Sequence, residues 1–79
     1  MDPAVVAALP GWVGRRVVVR HLLPDGRATD ALGTLVQVDD DALVVHRDRV
    51  GTDVVVALAD VLLAKPVPPR ATRPGPPRR

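Results

Sequence analysis

Few side chains in this sequence have types and spacings that could do chemistry. Ser, Cys, Tyr and Glu are absent. Thr29, Thr34 and Thr52 offer hydroxyls, His21 and His46 offer ring nitrogens, and every carboxylate side chain is an Asp. A Thr–His–Asp relay needs a hydroxyl within hydrogen-bond reach of an imidazole that a carboxylate orients from behind. No spacing here favours one. His21 and His46 fall on separate strand-like segments and could meet as metal ligands, but two His without a third ligand make a weak zinc pattern. They read instead as half-exposed strand histidines. In Asp39-Asp40-Asp41 adjacent carboxylates diverge along an extended chain, whereas a calcium loop places ligands at alternate positions around a Gly. That run reads as a solvated hairpin turn. The expectation is a chain without catalytic residue, cofactor or metal.

The remaining candidates are cations. Arg15, Arg16 and Arg20 are grouped, and Arg70, Arg73, Arg78 and Arg79 crowd the C-terminal end. Both groups could touch a polyanion. Up to Lys65, however, seven basic residues stand against nine Asp, leaving −2; from Pro66 onward four Arg and no acid give +4. A nucleic-acid binder usually carries its basic patch on the fold itself. Here the excess sits on the tail, and the strand arginines read as a solvated face paired with Asp. Trp12 is the sole aromatic residue. Base stacking, a methyl-lysine cage and a groove for proline-rich peptides all need more than one ring. Trp12 is expected to pin the N-terminal turn onto the fold.

These residues must be positioned by short elements. Asp2 can cap and Pro3 can start a helical turn over residues 2–9, which Pro10-Gly11 stops. Residues 13–23 read as a strand, with Val17 and Val19 on one face and Arg16 and Arg20 on the other. Residues 24–30 form a polar loop around Pro24-Asp25-Gly26. Strands follow at 32–38, where Gly33 marks a bend or bulge, at 42–46, and at 53–58, where Val54 and Val56 share a face. A 3₁₀ turn at 59–61 leads into a short strand at 62–65. Val17, Val19, Leu35, Val45, Val54 and Val56 are the expected inward residues. The Pro-rich stretch from Pro66 on reads as a solvated linker or tail, with a proline-rich ligand for another protein as its alternative.

A chain of 79 residues holds one domain at most. Without Cys its core must come from aliphatic packing. No stretch is long and apolar enough to span a bilayer, and the N-terminus lacks the basic start of a signal peptide; a cytoplasmic location and no membrane contact are expected. The fold class is all-β. It comprises a helical turn at 1–12, a five-stranded SH3-like barrel at 13–65 and a disordered Pro/Arg-rich tail at 66–79.

Several blocks carry a more specific likeness. They are Gly14-Arg15-Arg16-Val17-Val18-Val19-Arg20, Leu23-Pro24-Asp25-Gly26, Thr29-Asp30-Ala31-Leu32-Gly33, Asp41-Ala42-Leu43-Val44-Val45 and Ala59 through Pro69. Together they resemble the N-terminal SH3-like domain of actinobacterial GNAT-type N-acetyltransferases, a histone-acetyltransferase-like group. The resemblance implies a barrel that works with a GNAT catalytic domain, in cis or in trans. It includes no catalytic motif. GNAT enzymes hold the acetyl-CoA pyrophosphate on a loop patterned Arg/Gln-x-x-Gly-x-Gly/Ala. In Arg49-Val50-Gly51 and Arg73-Pro74-Gly75 the Gly comes too early. The resemblance therefore implies a noncatalytic accessory module, a truncated product or an excised domain. A small nucleic-acid-binding barrel using the strand arginines and the tail is the alternative, and the N-terminal fragment of a full acetyltransferase is a third reading.

Overall fold

The computed structural model describes residues 2–68. Five antiparallel strands run β1 (Arg16–Leu22), β2 (Ala28–Val38), β3 (Ala42–Arg47), β4 (Asp53–Ala57) and β5 (Val61–Pro66), in the spatial order β4-β3-β2-β1-β5. A six-residue helix α1 (Pro3–Ala8) precedes them, and single 3₁₀ turns lie at Leu9–Trp12 and Leu58–Asp60. The all-β architecture expected from the strand and turn spacing is present. The tail from residue 69 on, including Arg70, Arg73, Arg78 and Arg79, lies outside the described residues.

Alternation builds the core. Val17 and Val19 of β1, Ala31 and Leu35 of β2, Leu43 and Val45 of β3, Val56 of β4 and Val61 and Ala64 of β5 are buried on one face. Leu9 closes the open end from the N-terminal segment, with Val5 and Trp12 packed beside it. Each buried Val or Leu is worth about 1.5–3 kcal/mol against exposure, so a core with no aromatic ring depends on its aliphatic count. Five of the six expected inward residues are buried; Val54, next to the β3–β4 turn, is half-buried against the same cluster.

Several boundaries differ from the sequence reading for local reasons. β2 begins at Ala28, inside the expected loop. The Leu23 N–H donates to Arg27 O at 2.7 Å and Gly26, at φ 89°, reverses the chain within residues 23–27. Pro10-Gly11 does not end the N-terminal turn; α1 stops at Ala8 and the chain tightens into the 3₁₀ turn, which Pro10 suits because it needs no N–H there. Val13 to Arg15 precede β1 instead of joining it, with Gly14 at φ 91°. Pro66 belongs to β5, and the Val67 N–H still donates to Arg16 O at 2.9 Å. His21 is the largest correction. It is buried, because the alternation that turns Val17 and Val19 inward continues to residue 21.

Curvature has two sources in β2. Its first half pairs with β1 and its second with β3, and the register shifts at Val36, between Leu35 and Gln37. The bulge is there and not at Gly33. Gly33 serves a different need: a Cβ at this position would run into His46 O and stand 2.8 Å from Arg47 Cα. The β3 backbone crosses too closely for any side chain. The turn into β3 is fixed by Asp39, whose Oδ1 accepts the N–H groups of Asp41 and Ala42, each at 2.8 Å.

Two outcomes test these devices. Gly33→Ala must push backbone aside, at a cost of at least about 1–3 kcal/mol; that is expected to lower the melting temperature by roughly 10 °C or more. Gly11→Ala, with nothing within 4 Å of the added carbon, should leave it nearly unchanged. Equal melting of the two variants would refute the close approach. The N–H donors to Asp39 hold its carboxyl below the ordinary carboxylate range. A group depressed in the folded state stabilises fully above its unfolded value and loses that contribution as pH falls through the folded value. Wild type should therefore melt above Asp39→Asn at neutral pH, with the gap closing below about pH 4. A gap that stays constant through that range would show that the charge contributes nothing.

Candidate functional site

The outer face of β1 carries Arg16, Val18, Arg20 and Leu22 in alternation. The register sets Arg16 opposite Thr34 and Arg20 opposite Asp30. Arg16 lies at the start of the strand, level with the turn that follows β3. Its Nε and Nη2 donate to Asp48 Oδ2 at 2.8 and 2.7 Å. This pair is largely shielded, with side-chain exposures of 23% and 15%. Arg16 Nη1 also donates to Pro68 O at 3.4 Å. Arg20 reaches Asp30 at 3.3 Å, and this pair is open to solvent. Arg15 is exposed and forms no ion pair among the described residues. Of the three grouped arginines, two thus hold carboxylates of the same fold.

A second polar row crosses the same face. Thr34 of β2 stands opposite His46 of β3, which stands opposite Asp53 of β4. His46 Nδ1 donates to Asp53 Oδ1 at 2.7 Å on an exposed surface. A carboxylate thus orients an imidazole, and a hydroxyl is one strand away. Among the described residues no hydrogen bond joins Thr34 to that ring, so the hydroxyl lacks the base contact that would activate it. Thr29 faces His21 across β1 and β2, away from this row. His21 and His46 lie on opposite faces of the sheet and cannot share a metal. No group of three or more His or Asp able to hold a metal ion occurs among the described residues.

A concavity lies at the other end of β2. Val6 and Pro10 from the N-terminal segment, Val38, Leu58 from the second 3₁₀ turn, and Asp39 and Asp40 line an open cleft of about 190 Å³. Its walls are apolar and its rim is acidic. Sequence reading did not find it, because it forms only where segments far apart in the chain meet. Apolar side chains are also left exposed on the edge strands: Val55 on β4, and Leu62 and Leu63 on β5 at the bulge opposite Arg20 and His21.

The model of one protein family, the Rv0428c N-terminal Sm-like domain, matches residues 12–65. The chain belongs to this family. The match takes in β1 to β4 and all of β5 but Pro66, its last residue. No curated protein and no solved structure matches significantly. The family's description is of an N-terminal Sm-like domain, and nothing in it links the chain to GNAT acetyltransferases.

The Arg16–Asp48 contact of the Sm-like domain joins residues 32 apart and should behave as a structural pair. A double-mutant cycle with Arg16→Ala and Asp48→Ala is expected to give a coupling of about 1 kcal/mol, against near zero for the exposed Arg20–Asp30 pair. Equal couplings at the two pairs would remove Arg16 from the fold's supports.

Proposed function

We propose that this Sm-like domain is a noncatalytic accessory module that binds protein, and that its partner is a GNAT-type acetyltransferase catalytic domain, in cis or in trans. The observation that carries the protein-binding part is the β5 edge. Leu62 and Leu63 are both about half exposed there, and Leu22 lies near them on the outer face of β1. Edge strands are ordinarily protected by charge, proline or cover. Contiguous exposed apolar groups on a small domain mark contact surfaces. The choice of partner rests on the blocks between Gly14 and Pro69 that resemble the N-terminal module of actinobacterial GNAT enzymes. The sequence has no pyrophosphate-binding loop of that family, and so the module's part is contact rather than acetyl transfer. No helix among the described residues is long and apolar enough to cross a membrane; the cytoplasm, where acetyl-CoA enzymes work, is the location that goes with this reading.

A nucleic-acid role draws less support. Phosphate binding along β1 would have to break the Arg16–Asp48 and Arg20–Asp30 pairs, returning two carboxylates to a face that already repels phosphate. Any such binding should be weak and lost at physiological salt, as counterion release predicts for contacts made mainly by a charged tail.

Calorimetric titration of the chain with a purified GNAT-type catalytic domain from the same source tests the proposal. Saturable binding is expected, weakened about ten-fold or more by Leu63→Glu if that leucine is an anchor of the interface. Acetyl-CoA alone should give no saturable heat. Absence of binding to the catalytic domain would sink the assignment, and saturable acetyl-CoA binding would overturn the noncatalytic part of it.

A further inference from the structure

The apolar cleft with its acidic rim is unclaimed by the reading above, and the fold indicates what can reach it. β5 and β2 both pair antiparallel with β1, so they run in the same direction. Val17 aligns with Pro66 on one side and Gly33 on the other, which sets Pro66 level with Gly33 across the sheet. Val38, at the cleft, lies five residues further along β2, which bends between them, so the two are separated by at most about 16 Å at strand rise. The chain leaving β5 is still steered there: the Val67 N–H donates to Arg16 O, and Arg16 Nη1 donates to Pro68 O. Val67 and Pro68 thus lie at the end of β1 where the N-terminal segment, which supplies Pro10 and Val6 to the cleft, joins the strand.

The residues that follow match the cleft in chemistry. They are Pro69-Arg70-Ala71-Thr72-Arg73-Pro74-Gly75-Pro76-Pro77-Arg78-Arg79, with four positive charges and no acid. The rim offers Asp40, which is exposed and makes no side-chain hydrogen bond among the described residues; Asp41, the next residue and also exposed, adds negative charge close by without lining the cleft. Asp39 is occupied in its own turn. Proline rings suit a shallow apolar wall of Val6, Pro10, Val38 and Leu58. A proline-rich chain advances about 3.1 Å per residue, so the cleft comes within reach about five residues after Pro66. We propose that the chain's own basic, proline-rich segment, centred on Arg73 to Pro77, docks in this cleft, with its arginines drawn by Asp40 at the rim and by the neighbouring Asp41. Tethering raises its local concentration to about the millimolar range, so a contact too weak to hold a free peptide can be populated. The contact would be charge-dependent and so would open as salt rises. It would cover the Val6–Leu58 side of the module whenever that segment is not engaged elsewhere.

The lack of Cys allows a direct test. Gly75→Cys carries a single nitroxide label, and paramagnetic broadening is read on the backbone amides of the full chain. Broadening is expected at Val6, Val38, Asp40 and Leu58, and not at Gly26 in the β1–β2 turn. It should fall by about half or more in Asp40→Lys/Asp41→Lys, and likewise at about 0.5 M salt, where the screening length shrinks to a few ångström. The double variant leaves Asp39 and its turn intact, and an unchanged amide spectrum elsewhere verifies the fold. Broadening equal at Gly26 and the cleft would overturn the proposal, as would broadening indifferent to charge reversal. A mixture of labelled, isotope-free chain with unlabelled isotopic chain covers the remaining occupant. Broadening of equal size in that mixture would mean that the tail of a second copy fills the cleft, and would overturn docking in cis. This outcome is independent of whether a GNAT domain binds at β5.

Discussion

At Gly33 the His46 carbonyl and the Arg47 Cα take up the space where a side chain would begin. The close crossing lets β2 pair with β1 along its first half and with β3 along its second. A flat sheet of five short strands would expose half of its Val and Leu to water. A folded-over sheet gathers one face of every strand around a single aliphatic cluster. The same crossing brings the turn after β3 back toward the start of β1: the Asp48 N–H donates to Leu32 O, and the Asp48 carboxylate meets Arg16. The main shielded ion pair thus joins β1 to the turn after β3, on either side of the strand that carries the missing Cβ.

Charges on the outer face of β1 and in the neighbouring turns are largely paired, whereas Arg47 and Lys65 form no ion pair among the described residues. Arg16, Arg20, Arg27 and His46 each stand within reach of an Asp, some by cross-strand register and some within a turn. Exposed pairs of this kind contribute little to stability and are screened by salt. Their larger effect is on recognition. A guanidinium already holding a carboxylate is a poor site for phosphate, and the acidic excess of the folded part repels polyanions further. The positive charge of the molecule is concentrated beyond Pro66 instead. Arg16 is the exception in cost and in role, because shielding makes its contact harder to replace with water.

What the sequence disclosed follows from period and punctuation. Alternation of Val with Arg named β1 and its inner residues, and turn residues at Pro24-Asp25-Gly26, Asp39 to Asp41 and Asp48 to Thr52 separated the strands. The same alternation, carried one step further, would have placed His21 inside; residue type overrode it, since histidine is so often half exposed. Asp48 as the partner of Arg16 could not be read, because nothing local links residues 32 apart. The Val36 bulge and the role of Gly33 were merged for a similar reason. A glycine in a strand signals either a bulge or a close backbone approach, and only the neighbouring strand decides which. The cleft was invisible because each of its six lining residues has an ordinary local explanation.

The poverty of aromatic side chains constrains function more than any motif does. With Trp12 packed on the core, the described part of the sheet offers no Phe, Tyr or Trp ring on which to stack a base or cage a methylammonium, and its one exposed imidazole, His46, is held by Asp53. Recognition is left to strand edges, aliphatic patches and backbone direction. Leu62 and Leu63 on the β5 edge supply the first two, and the hydrogen bonds that tie Val67 and Pro68 to Arg16 supply the third. Val67 and Pro68 are thereby held against the start of β1. The edge and the exit are both set by β5, so a partner seated on Leu62 and Leu63 and a segment running on from Pro68 would be registered by the same strand.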